Sequence, residues 1–138
     1  MDCIFCKIVN GEISAKKIYE SDRVVSFLDI SPANKGHSLV ITKRHYQTIF
    51  EVDEEDLKEL IIAIKKISNA IMTVTGASGI NILSNIGEDA GQVIKHLHFH
   101  IIPRFKGDGI DFEYTPKKYE GEEMEILCNK IRNEIENK

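Results

Sequence analysis

Histidine alternates strictly with an apolar side chain over residues 96–100, which read His-Leu-His-Phe-His, and Ile101 continues the apolar set. A period of two predicts a half-buried β-strand. In such a strand the odd-numbered apolar side chains point into a core. The three imidazoles share the opposite face, roughly 7 Å from one to the next. The predicted faces are Leu97, Phe99 and Ile101 on one side and His96, His98 and His100 on the other.

Two longer stretches instead repeat their apolar residues at helical spacing. The first predicts a helix from Asp53, which can cap it, to about Val74, with Gly76 just beyond its end. The second predicts a helix from about Glu122 to Asn137, and its apolar stripe includes Cys128, which we expect to be a buried thiol.

Short apolar runs bounded by turn residues predict the remaining strands. The chain of 138 residues suits one domain with one sizeable core. We therefore expect a single α+β domain over residues 1–138, an antiparallel sheet with the 53–74 helix packed across it and a C-terminal helix. The predicted strands are 18–20 and 24–29, joined as a hairpin through 21–23, then 37–41 and 80–84.

The loop from Asn85 to Gln92 contains Gly87 and Gly91, so its backbone N–H groups can approach a ligand closely. No Lys-Ser/Thr pair follows it, which excludes a Walker loop, and it does not match a dinucleotide fingerprint. The loop gains interest because it lies a few residues before His96.

Composition and charge narrow the function classes. A net charge of −4 without a basic stripe argues against binding to duplex nucleic acid, although a small anionic ligand still fits. The chain has no apolar run that predicts a membrane span and no secretory signal pattern. An odd count of 3 cysteines argues against a disulfide framework, so we expect a cytoplasmic protein.

Cys3 and Cys6 form a C-x-x-C pair, which occurs in zinc sites and redox sites or arises by coincidence. The metal interpretation needs two more ligands, which His45 and one end histidine of the triad can supply. The two remaining triad histidines are then available for chemistry. A neutral imidazole is a good nucleophile toward phosphorus if one ring nitrogen is fixed by a hydrogen bond.

The chain resembles the histidine triad (HIT) family through His96-Leu-His98-Phe-His100-Ile-Ile, and the resemblance covers roughly residues 3–105. Its order and spacing are most similar to bacterial and archaeal members of the purine nucleoside phosphoramidase branch. The region 106–138 is variable in the family, and nothing is carried over to it. The other motifs that match are Cys3-Ile-Phe-Cys6, Phe27-Leu-Asp29-Ile-Ser-Pro32, Gly36-His37-Ser-Leu39, Lys43-Arg-His45, residues 85–92 and Pro103-Arg104.

The resemblance implies a role for each histidine. His98 would attack the α-phosphorus of a nucleotide and form a nucleotidyl-histidine intermediate. His100 would hydrogen-bond the phosphate, and His37 would support the cluster from behind. His45 and His96 would join Cys3 and Cys6 in a structural zinc site.

The same resemblance implies the nucleotide contacts and the assembly. Asp29 would bind the ribose hydroxyls, and many relatives carry Ser or Thr where this chain has Val93, on the leaving-group side. We expect a homodimer with continuous sheets and no organic cofactor. The remaining contacts would be Phe5, Ile8 and Ile30 to the base, and Asn85, Gly91 and Gln92 to the phosphate and leaving group.

The expected function is cleavage of a nucleoside 5′-phosphoramidate or related nucleotidyl conjugate, with release of a purine nucleoside monophosphate. One alternative is a dinucleoside polyphosphate hydrolase, which Asn85 weakly disfavours because those enzymes more often carry Gln there. The other is a nucleotide- or zinc-binding regulatory module with little turnover, which Val93 leaves open.

Overall fold

The computed structural model describes residues 3–137. Its helices and strands, in chain order, are α1 (Ile4–Val9), β1 (Lys17–Glu20), β2 (Val24–Leu28), β3 (Ser38–Thr42), α2 (Glu54–Thr75), β4 (Gly79–Leu83), β5 (His98–Arg104) and α3 (Glu123–Glu136), with a 3₁₀ turn at Glu88–Ala90 before β5.

The five strands form one sheet in the order β1-β2-β3-β5-β4, and every neighbouring pair is antiparallel. The predicted α+β fold and the β1–β2 hairpin are confirmed. In the centre of the sheet, Ile41 pairs with His98 and Leu39 pairs with His100. Since paired residues share a face, both histidines lie on the same side of the sheet as these two apolar residues.

The long helix α2 covers the other side of the sheet. Its N-cap Asp53 accepts a hydrogen bond from the Asp56 N–H, and Gly76 closes it in the left-handed conformation with φ 72°. The predicted helix is therefore confirmed at both ends. Its buried stripe packs against Val24, Val40, Leu97, Ile101 and the partly buried Phe99.

The short helix α1 packs on the histidine side, where Phe5 and Ile8 join the buried residues Phe27, Leu39 and Ile41. The sequence pattern does not predict this helix, because six residues give too short a window for a 3.6-residue period. Cys3 caps it, since the Cys6 N–H donates to Cys3 Sγ at 3.4 Å.

The strand predicted over residues 96–100 begins later, at His98. The expected side-chain faces are correct, but His96 lies in a bend before the strand. Two long-range hydrogen bonds hold this bend: the Leu97 N–H donates to the Tyr46 carbonyl, and His96 Nε2–H donates to the Thr42 carbonyl. Tertiary contacts have thus overridden the local pattern.

The C-terminal helix α3 has the predicted position, but none of its residues is buried. The expectation that Cys128 is a buried thiol is therefore wrong: it is exposed. Helical spacing identifies an apolar stripe and cannot show that another element covers it. Within residues 3–137 no helix is long and apolar enough to cross a lipid bilayer.

Candidate active site: the histidine cluster and its cavity

A cavity of about 350 Å³ opens on the histidine side of the sheet, between α1, the β2–β3 edge and the loop before β5. His98 and His100 form part of its wall. Its other lining residues are Ile4, Phe5, Ile8, Ile13, Ser14, Ala15, Phe27, Leu28, Asp29, Ile30, Leu39, Gly91, Val93 and Ile94.

One end of the cavity combines a flat apolar wall with a carboxylate. Phe5 stands edge-to-face against Phe27, with ring centroids 5.7 Å apart, and against His98 at 5.1 Å. Asp29 follows β2 directly, and its Oδ1 accepts from the Ser31 N–H at 2.8 Å. Its Oδ2 lies 3.7 Å from His37 Nε2. The pair of an apolar slot and a carboxylate suits a base followed by a ribose.

The tautomer of His98 is fixed by the main chain. Its Nδ1 lies 2.6 Å from the His96 carbonyl oxygen. A carbonyl can only accept, so Nδ1 carries the proton, and in the neutral ring Nε2 keeps its lone pair. Burial lowers the pKa of His98 and so favours the neutral ring. His98 is therefore prepared to act as a nucleophile at neutral pH.

A second main-chain group fixes His37 and, through it, His100. The Ala33 N–H donates to His37 Nδ1 at 3.0 Å, so neutral His37 carries its proton on Nε2. That nitrogen donates to His100 Nδ1 at 3.0 Å. Neutral His100 then carries its own proton on Nε2, where it can serve as a donor to a phosphoryl oxygen.

Burial keeps both supporting rings neutral. It lowers the pKa of His37, against the opposing effect of Asp29. Burial, with the neighbouring His98 and His37, lowers the pKa of His100 to about 4. All three rings of the cluster are thus uncharged near neutral pH, as the directed hydrogen bonds require.

The loop before β5 divides into a buried brace and an exposed rim. The Gln92 amide donates to the Gln47 and Ile94 carbonyls and accepts from the Gly87 N–H, so backbone groups occupy it. Asn85 Nδ2 lies 3.5 Å from the Gly91 carbonyl. Neither Gln92 nor Asn85 lines the cavity. Val93, by contrast, lines it with 87% of its surface exposed.

The remaining predicted contacts, Phe5, Ile8, Asp29, Ile30 and Gly91, all lie at the cavity. The residues that sequence reasoning missed include Phe27 and Leu39. Strand alternation could have found them, since each pairs across the sheet with a residue on the histidine face.

A separate cluster gathers the four predicted zinc ligands, Cys3, Cys6, His45 and His96, with donor atoms within 4.8 Å of one another. Cys3 Sγ lies 3.3 Å from His96 Nδ1, and Cys6 Sγ lies 3.3 Å from His45 Nδ1. A tetrahedral zinc site with Zn–S of about 2.3 Å and Zn–N of about 2.0 Å needs ligand separations of about 3.5 Å.

The surroundings of this cluster also fit a metal. His96 Nε2–H donates to the Thr42 carbonyl at 2.8 Å, which turns the Nδ1 lone pair toward the cysteines. Burial lowers the pKa of His96 to about 4, so this ring is neutral. Burial and Cys3 raise the pKa of Cys6 to about 11, so metal binding would displace its proton.

Sequence comparisons match the HIT domain over residues 10–107. An uncharacterised HIT-like protein of Methanocaldococcus jannaschii is 50% identical over 107 residues, covering 78% of this chain and 82% of that protein. The adenosine 5′-monophosphoramidase of Schizosaccharomyces pombe is 38% identical over 136 residues, covering 98% and 99%. The adenylylsulfatase of Arabidopsis thaliana is 46% identical over 107 residues, covering 78% and 54%.

Solved structures agree in fold. A HIT family protein from Bacillus subtilis superposes with a TM-score of 0.91 at 41% identity, covering 96% of each chain. A zinc-bound histidine triad family protein from Mycobacterium smegmatis superposes with a TM-score of 0.75 at 36% identity, covering 85% of each chain. The family match, the extent of the identities and the histidine cluster lead to one conclusion: the chain belongs to the HIT family.

Proposed function

We propose that this protein hydrolyses nucleoside 5′-phosphoramidates, or related conjugates of a purine nucleoside monophosphate, through a covalent intermediate on His98. The observation that carries the proposal is the 2.6 Å hydrogen bond from His98 Nδ1 to the His96 carbonyl. It leaves the Nε2 lone pair as the nucleophile of a ring that forms part of the cavity wall. The phosphoramidase activity named for a relative that is 38% identical supports this choice of substrate.

The reaction proceeds in two displacements. His98 Nε2 attacks the α-phosphorus, a new nitrogen–phosphorus bond forms, and the bond to the leaving amine breaks as the amine takes up a proton from solvent. Water then attacks the same phosphorus, and the bond between phosphorus and His98 Nε2 breaks, which returns the electron pair to Nε2. The nucleoside monophosphate is released, and the attacking water loses one proton to solvent. The Nε2–H of His100 stabilises the charge on the phosphoryl oxygens in both steps.

The test is single-turnover reaction with adenosine 5′-phosphoramidate, with mass spectrometry for a nucleotidyl group on His98. We expect the adduct in wild type and a loss of at least about 1000-fold in rate for His98→Asn. Cys128→Ser, at an exposed thiol on α3, is the control. Substantial turnover by His98→Asn would refute the role of His98. Binding of AMP without any turnover by wild type would support the regulatory module.

We further propose that Cys3, Cys6, His45 and His96 hold a structural zinc ion. Metal bound there would fix α1, one wall of the cavity, to the bend that precedes β5. This arrangement assigns zinc no part in the reaction steps. Because thiolates must stay reduced to bind zinc, the proposal agrees with a cytoplasmic location.

The expected homodimer is also a proposal. Strand β4 lies at one edge of the sheet and, within residues 3–137, pairs only with β5. Ile82 on β4 and Ile61 and Ile62 on α2 are all between 46% and 56% exposed. An unpaired strand edge and exposed apolar side chains both favour association with a second copy. Gel filtration that shows a stable monomer would refute it.

A further inference from the structure

Val93 is an exposed apolar residue at a site that carries charge chemistry. It is 87% exposed, yet it lines the cavity that contains His98. Gly91 and Gln92 precede it, and two partly buried hydrogen bonds of the Gln92 amide hold this turn. The hydrogen bonds of Gln92 therefore fix the backbone at Val93, although the Val93 side chain is exposed.

The geometry of displacement decides what Val93 meets. The attacking and leaving atoms lie roughly in line on opposite sides of the phosphorus. His98 is 8% exposed and forms the cavity wall, so the leaving group departs toward the open mouth. Ile30, which is 96% exposed, lines the cavity next to Asp29, the residue expected to bind the ribose. The leaving group would then face another part of the lining, formed by Gly91, Val93 and Ile94 of the loop before β5.

This part of the lining borders a second cavity of about 450 Å³, whose lining includes His45, Gln47 and Lys95. The same three apolar residues, Ile4, Val93 and Ile94, line both cavities. They form an apolar ridge between them. A leaving group larger than ammonia would then contact this ridge, which offers it no side-chain hydrogen bond.

We propose that Val93 is a specificity-determining residue and that the apolar ridge selects substrates whose leaving amine carries an apolar chain. The proposal rests on the proposed function and assigns it a substrate class. A hydroxyl on the leaving group would lose water on contact with Val93 and gain no partner there. An alkyl group of the same size would instead gain from burying apolar surface.

The test compares the n-pentylamine and 4-aminobutan-1-ol phosphoramidates of adenosine, which differ at the chain end by a methyl group against a hydroxyl. We expect wild type to show a kcat/KM for the pentyl substrate that is about 3- to 10-fold higher. Val93→Thr has nearly the same shape and adds one hydroxyl. It should bring this ratio at least halfway toward one on a logarithmic scale.

Val74→Thr makes the same chemical change at a valine of α2 that is 84% exposed and remote from both cavities, and it should leave the ratio unchanged. A wild-type ratio near one, or an equal ratio in wild type and Val93→Thr, would overturn the proposal alone. Unsubstituted adenosine phosphoramidate serves as the reference. Failure of wild type to cleave any of the three substrates would overturn the proposed function together with it.

Discussion

The Nε2 atom of His37 lies 3.0 Å from Nδ1 of His100, and the Ala33 N–H on the far side of His37 fixes which of the two donates. The backbone amide of Ala33 thus determines, through His37, which nitrogen of His100 carries the proton. In the proposed reaction His37 would be a positioning residue, because its Nε2–H donates to His100 and not to the phosphate.

Two replacements of His37 should distinguish the effect of its hydrogen-bond donor from the effect of its side-chain volume. In His37→Gln the amide nitrogen falls near the position of Nε2 and can still donate to His100, whereas His37→Ala removes the donor. We expect kcat for adenosine phosphoramidate to fall on the order of 100-fold in the alanine variant and by clearly less in the glutamine variant, with little change in KM. Equal losses of kcat in both variants would contradict the positioning role.

The low pKa of His100 makes folding stability depend on pH. Its pKa is about 4 in the folded protein against an ordinary value of 6.5, so the unfolded chain takes up the proton first. The contribution of His100 to the free energy of unfolding is fully present above pH 6.5 and is lost as the pH falls toward 4. Urea unfolding at several pH values should show that the free energy of unfolding decreases as the pH falls. In His100→Asn the number of protons taken up on unfolding should be smaller by up to one. Parallel slopes for the two proteins would show that His100 contributes nothing.

Removal of metal should destabilise the protein. We expect about one equivalent of zinc in the purified protein and a decrease of Tm by several degrees on chelation, because the proposed ion would link α1 to the bend before β5. Cys6→Ser should lose the metal and this response.

Cys128→Ser is the matched control for that change, since its thiol is exposed on α3 and is not one of the four clustered residues. It should retain zinc and the wild-type Tm. Less than about half an equivalent of zinc in wild type, with no effect of chelation, would leave Cys3 and Cys6 without a metal role.

Gly36 precedes His37, and a side chain there should cost stability for two reasons. Its φ is +102°, and an added Cβ would lie 2.9 Å from Thr75 Cγ2 at the end of α2. Gly76→Ala has a similar positive φ of +72° but nothing within 4 Å, so it measures the strain alone. We expect about 1 kcal/mol for Gly76→Ala and about 1–3 kcal/mol more for Gly36→Ala in urea unfolding. Equal losses would show that the contact with Thr75 relaxes freely.

Local periodicity predicts those parts of the fold whose burial is one-sided and long enough to repeat. The α2 stripe and the strand faces belong to this class, and Leu97 and Ile101 are buried against α2 as expected. Helix α1 is too short to repeat. His96 lies outside the strand because the carbonyls of Thr42 and Tyr46 hold residues 96 and 97 in a bend. These partners are distant in sequence, so a local pattern does not reveal them.

The chemistry of the site divides along the same line. The residue types of the histidine cluster and the metal cluster could be named from the chain, partly through the resemblance to a family. Proton positions could not, since they depend on the carbonyl of His96 and the amide of Ala33. Gln92 shows the same limit: its residue type suggests a ligand contact, but the backbone groups around it occupy its amide.

The histidine cluster and the apolar ridge differ in how their side chains are held in place. Main-chain atoms of Ala33, Thr42 and His96 hold the histidines, and these atoms persist whatever side chain occupies the first two positions. Val93 has no such anchor on its side chain. Substitutions at position 93 can accumulate during evolution without disturbing proton placement on the reacting ring. One lineage can thus exchange its substrates while the chemical step is inherited unchanged.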